Sequence, residues 1–269
     1  MTDLSHLARE VLGTANADEK ARLSRAHAAL WRDTPDMDIG QATAEDRPAR
    51  PAKPELIAPM DMPRRRGHSD KARAMLLHAV LHIELNAIDL AWDMIARFAG
   101  QDLPRAFFED WVLVGDEEGK HFGLLQDRLR ELGFEYGDFP AHDGLWEAAF
   151  DTRFDIAARL AIVPMVLEAR GLDVTPGMIA RFVKMEDFAS VDILKIILTD
   201  EIGHVAIGNR WFHFICGRMD KSPREYWQEL VRKNFRGLLK PPFNENARIQ
   251  ADLTPDYYLP LVKRHSEGE

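Results

Sequence analysis

The sequence predicts an all-α fold, an antiparallel four-helix bundle with additional helices at both ends, and three observations predict it. From Ser69 onward apolar residues recur at the helical spacing across most of the remaining chain. Alternation of apolar and polar residues bounded by turns, the mark of a half-buried strand, is hard to find anywhere. Glycines at 100, 133, 171 and 217 cut the periodic stretch into long segments, as helix-ending residues do.

Residues 1–31 carry two short helical patterns, around 3–12 and 18–31, the second opened by Asn16 or Asp18. These could pack on the main body or aid contacts in a homodimer. Residues 32–68 change character, because Pro35, Pro48, Pro51, Pro54, Pro59 and Pro63 interrupt any helix before the basic cluster Arg64-Arg65-Arg66. An extended connector is expected there.

The bundle is expected over 69–217. Its first helix, about 70–98, is apolar on nearly every side and should therefore be buried. A second begins near Pro104 and ends before Gly133. A third runs from about 143 to 170 and stops at Gly171, with Pro164 removing a backbone donor and kinking it four residues before Glu168. After Thr175-Pro176 comes a short helix to about Lys184, then a fourth long helix over roughly 186–216, terminated by Gly217. Residues 218–269 supply a helix from Ser222, where Ser-Pro-Arg-Glu fits a capping box, and a proline-rich tail expected to wrap as turns and short helices.

A hydrophobic content of 46% in 269 residues is enough to bury a sizeable core. The formal net charge of −9 argues against general binding to nucleic acid or anionic membrane, both of which need clustered Lys and Arg; only 47–66 is a local exception. The start MTDLSHLARE lacks a basic segment followed by an apolar run, and no later stretch reaches about 18 uncharged apolar residues. A soluble, cytoplasmic protein is expected. The lone cysteine, Cys216, cannot form an internal disulfide and reads as a small buried hydrophobe at a helix end.

Chemistry enters with Glu118-Gly-Lys-His121, whose carboxylate and imidazole stand one helical turn apart on one face. Glu201-Ile-Gly-His204 repeats it, and no other Glu-x-x-His occurs in the chain. Either motif alone is weak evidence. Each, however, has a glutamate upstream at nearly equal distance: Glu84 lies 34 residues before Glu118 (118 − 84) and Glu168 lies 33 before Glu201 (201 − 168). Both upstream acids sit on apolar stripes, Glu84 with Leu81 and Ile88 and Glu168 with Met165 and Leu172. Four ionised glutamates inside an apolar bundle would repel one another and resist desolvation, whereas two divalent cations bring their charge to zero. One Glu from each of two helices and Glu-x-x-His from each of the other two is the ligand plan of di-iron and di-manganese carboxylate bundles. Asp200 and Glu117, the acids that precede the motif glutamates, are candidates to orient His121 and His204 from behind. His78 and His82 are not at the spacing that would share Glu84's face and read as packed or exposed side chains.

With these six residues in this order, and with EL…DEEGKHF…LEARGLD…TDEIGHV spanning 70–216, the chain resembles the ferritin-like superfamily. More narrowly it resembles a bacterial ferritin-like family of unknown function, itself similar to di-iron tRNA hydroxylases. The resemblance extends to MPRRRG and to the tail PPFNENARIQADLTPDYYLPL. It implies two metal ions, iron favoured with manganese the alternative, and an oxidoreductase or hydroxylase that uses O2 or peroxide on a small-molecule substrate. Asn244, Asn246 and Arg248 could then form a polar lid or recognise an anionic substrate, or else serve the turns of the tail itself. A tRNA substrate is the sharpest version, favoured by Arg64-Arg65-Arg66 and opposed by the overall acidity. The same cage also serves metal storage with ferroxidase activity, and a purely structural metal site in a scaffold remains a third class.

Overall fold

The computed structural model describes residues 2–42, 44–63 and 67–262, so the Arg64-Arg65-Arg66 cluster lies outside the described residues. Among these residues there is no strand, only one isolated parallel bridge between Leu56 and Ala141. The chain divides into two compact units, residues 1–150 with 182–193, and residues 151–181 with 194–269.

The first unit holds α1 (Leu4–Gly13), α2 (Ala17–Asp33), α3 (Asp70–Phe98), α4 (Arg105–Glu131) and α5 (Gly144–Asp151). Asp3 opens α1 by accepting from the His6 N–H at 3.0 Å, and Asn16, rather than Asp18, opens α2 by accepting from the Glu19 N–H at 2.9 Å. α3 and α4 pack along each other, with α1 laid on α3 and α2 on α4, so the N-terminal helices cover the core of their own unit. α4 ends as expected at Gly133, which takes φ +81° while the Phe134 N–H returns to the Leu129 carbonyl at 3.1 Å. The connector lies against the unit: the N–H groups of Leu4 and Ser5 donate to the Asp38 and Ile39 carbonyls, and the Ala49 N–H donates to Leu12 at the other end of α1.

α3 is long and apolar enough to cross a membrane by length and composition, although Glu84 and Asp89 interrupt its apolar run. Of its most apolar stretch 83% is buried, the behaviour of a core helix that is apolar all round.

The second unit holds α6 (Ile156–Ile162), a π-helical segment (Val163–Glu168), most of α7 (Ala169–Lys184) and α8 (Phe188–Arg218), then α9 (Pro223–Asn234), α10 (Glu245–Gln250) and α11 (Pro255–Tyr258). The third helix predicted over 143–170 is therefore broken. Asp155 adopts an extended backbone and caps the new helix α6 by accepting from the Ala158 N–H at 3.1 Å, which ends continuity with α5. The kink expected at Pro164 takes the form of the π segment, a widened turn that ends on Glu168.

Gly171 does not end α7, and no separate helix starts at Pro176. Packing carries the helix through, because Leu172 and Asp173, the two residues directly after Gly171, are buried. Pro176 has no N–H to give the Leu172 carbonyl four residues earlier, and the Asn244 side-chain amide donates to that carbonyl at 3.2 Å instead. α8 also runs past Gly217. It closes at Asp220 (φ +52°), with the Lys221 N–H donating to the Cys216 carbonyl at 3.0 Å, so an aspartate supplies the left-handed position usually given to glycine. The capping box at Ser222 does not form, since its hydroxyl bonds the Glu225 carboxylate and leaves the backbone donors uncapped by side chain. α9 packs on α6, where the Trp227 indole donates to the Ala161 carbonyl at 3.2 Å.

Cys216 is fully buried, and burial pushes its thiol up to about 11. Below that pH it stays protonated and a poor nucleophile. Alkylation of the native protein at pH 8 should therefore be much slower than alkylation in denaturant; equal rates, measured by mass spectrometry, would contradict this burial.

Candidate metal centre

In the first unit the packing of α3 on α4 brings three predicted ligands together. Glu84 comes from α3, Glu118 and His121 from α4, and all three are buried. The His121 Nδ1 stands 3.1 Å from a Glu84 carboxylate oxygen and 3.4 Å from one of Glu118. Ligand atoms from the three lie within 4.8 Å of one another. Burial, and next the Glu118 charge, hold the Glu84 carboxyl well above the usual carboxylate range, while His121 opposes the shift. Two carboxylates and an imidazole nitrogen converging in an apolar seam could hold a metal ion, and a dication there would cancel the charge of both acids.

Close approach of the helices makes this seam. Gly115, one turn before Glu118, faces the Trp92 indole, where an added Cβ would stand 2.8 Å from Nε1. That indole donates to Ser24 Oγ at 2.6 Å, and Ser24 donates on to the Gly115 carbonyl at 2.5 Å, which ties α2, α3 and α4 together one turn from the acids.

The second unit carries the other three predicted ligands. Glu201 and His204 are buried one turn apart on α8, with His204 Nδ1 3.7 Å from a Glu201 oxygen. Glu168 is half-buried at the end of the π segment. Here too a glycine lets backbone come close: a Cβ on Gly208, one turn beyond His204, would lie 2.3 Å from Pro164 Cβ in the π segment.

Glu117 and Asp200 are both half-buried on α4 and α8. His78 and His82 are packed, as expected. His78 Nε2 accepts from the Gly137 N–H at 2.9 Å, and His82 contacts the Tyr136 hydroxyl at 2.9 Å and the His142 carbonyl at 3.2 Å. Burial first, and then the nearby Arg50 cation, push His82 down to about 3. The three tail residues behave differently from one another. Arg248 is buried and forks onto Asp173, Asn244 caps α10 and bonds α7, and Asn246 is exposed. The guanidinium and amide that a substrate lid would need are thus engaged by the protein's own helices.

A family model described as protein of unknown function (DUF455) matches residues 13–259. The chain belongs to the DUF455 family. An uncharacterized protein of Haemophilus influenzae is 42% identical over 257 residues, covering 90% of this chain and 88% of that relative. No solved structure matches the chain. The DUF455 match includes all six candidate ligands, together with the whole connector over 32–68 and the tail to Leu259.

Sequence reasoning passed over several buried charges in this DUF455 chain. Lys20 on α2 is fully buried and pairs with Asp89 on α3, and burial lowers its amine below the usual value although Asp89 opposes this. Nothing in the Ala-, Arg- and Leu-rich pattern of α2 distinguishes Lys20 from a solvated lysine.

Gly208→Ala should lower unfolding stability by about 1–3 kcal/mol, because a proline ring cannot rotate away from the new methyl. A denaturation midpoint equal to that of the wild type would show that the π segment does not press on α8 as described.

Proposed function

We propose that the protein is a ferritin-like carboxylate protein with a centre of two divalent metals, iron favoured and manganese the alternative. Its proposed activity is that of an O2- or peroxide-dependent oxidoreductase of the hydroxylase kind. The observation that carries this reading is the duplication itself: each unit supplies one lone glutamate and one Glu-x-x-His pair. Each half offers two carboxylates and one imidazole, and four carboxylates with two imidazoles are the donor set that a pair of divalent ions would need.

Bound there, the two metals would supply Lewis acidity and a source of electrons for using O2 or peroxide. The chain's part is to hold and to exclude. Glu84 and Glu118 are kept from water by the α3–α4 seam, and Glu201 and His204 are buried on α8. Glu168 is the most exposed of the six and stands on the widened π turn, which makes its side the natural approach for a small substrate. In this reading Asp200 orients His121 and Glu117 orients His204, each fixing which ring nitrogen is left for the metal. The acidity of the chain speaks against a tRNA substrate, and storage or a structural metal site are the other outcomes of the test.

The test is to measure Fe and Mn in purified protein, then to reduce it and follow its spectrum on exposure to O2 or H2O2. Two metals per chain with a spectral response and turnover are expected. Two metals without redox response would favour a structural site, and iron accumulating far beyond two per chain would favour storage. Glu84→Ala, Glu168→Ala and His204→Ala should each lose metal while staying folded. Full occupancy in all three would sink the ligand set.

A further inference from the structure

The lone glutamates share a second feature. Five residues after Glu84 stands Asp89, and five after Glu168 stands Asp173. Five residues on a helix turn through about 140°, so if the glutamate faces a metal the aspartate faces away from it. Both aspartate side chains are nonetheless fully buried, and each is covered by a chain segment from outside the long helices.

On α3 the cover is the connector. Arg50 Nε lies 2.8 Å from Asp89 Oδ2, and Lys20 pairs with the other oxygen while donating to the Ala49 carbonyl at 2.9 Å. Arg50 also donates to Asn86 Oδ1 at 2.8 Å, and Asn86 donates to the His82 carbonyl at 2.7 Å. On α7 the cover is the tail. Arg248 forks onto Asp173 at 2.8 and 2.7 Å and reaches the carbonyl of Ala169, the residue after Glu168, at 3.3 Å. The Asn244 N–H adds a bond to Asp173 at 2.9 Å, and Phe243 and Tyr258 flank the guanidinium at 5.2 and 4.5 Å from their ring centres.

We propose that Asp89 and Asp173 are equivalent positioning residues, each gripped by the arginine of a wrapping segment, that fix the rotation of the helices presenting Glu84 and Glu168. This rests on the metal reading above. Two points 140° apart on one helix define its azimuth better than either alone; at Asp173 the planar guanidinium fork of Arg248 resists rotation, and at Asp89 the single Arg50 contact on one oxygen and Lys20 on the other share that task. The connector and the tail are therefore parts of the metal site's support. Asn244 and Arg248 act through α7.

The experiment compares wild type, Asp89→Asn, Asp173→Asn and Arg248→Lys. Mn²⁺ affinity is read by chelator competition, and amide hydrogen exchange is read on the metal-free proteins. Each aspartate variant should bind Mn²⁺ about ten- to hundredfold more weakly. Exchange should rise over 82–89 in Asp89→Asn and over 163–173 in Asp173→Asn, and not elsewhere. Arg248→Lys, which keeps the charge without the fork, should fall between wild type and Asp173→Asn. Unchanged affinity in the aspartate variants, or exchange raised evenly along the whole chain, would overturn the proposal while leaving the metal reading intact. Wild-type protein that takes up no Mn²⁺ would overturn the metal reading and this proposal with it.

Discussion

Two carboxylates, Glu84 and Glu118, are buried side by side in the apolar seam between α3 and α4, and much of the first unit is arranged around tolerating them. Two like charges out of water are costly, and the raised Glu84 carboxyl is the direct sign of that cost. One imidazole nitrogen within 3.4 Å of both acids relieves part of it. The seam around them closes through Gly115, Trp92 and Ser24, which bring backbone and ring into contact where a larger residue would push the helices apart.

The second unit meets a related demand by other means. Pro164 and Pro176 both remove backbone donors within the stretch that carries Glu168. The first is absorbed as a π turn pressed on Gly208, the second is repaired by the Asn244 amide. A helix with two such defects would be easily displaced alone, so the fork of Arg248 on Asp173 and the insertion of Trp227 against α6 give it a fixed seat.

How much of this was legible in the sequence depended on whether the signal was local. The long helices at 70–98 and 105–131 could be read because apolar residues dominate the first, opened by Ser69, and because in the second periodicity agrees with Pro104 at the start and the left-handed Gly133 at the end. The grouping of Glu84 with Glu118 and His121 followed from the spacing, the apolar stripe around Glu84 and the ligand plan of carboxylate bundles. The break at 152–155 and the persistence of α7 past Gly171 were not legible, because a cap at Asp155 and burial of Leu172 and Asp173 outweigh local propensity. The roles of Arg248 and Lys20 were hidden for a different reason. A buried, paired cation and a solvated one have the same sequence signature, and only the partner, Asp173 or Asp89, distinguishes them.

What most needs testing is the proposal that the two Glu-x-x-His motifs and the two lone glutamates hold a pair of metal ions. X-ray absorption on the iron-loaded protein tests it most directly, since ions sharing carboxylates scatter from each other. The account predicts a metal–metal vector at about 3.5–4 Å with mixed oxygen and nitrogen ligands. Iron bound with the same ligands but with no metal neighbour at that range would contradict it.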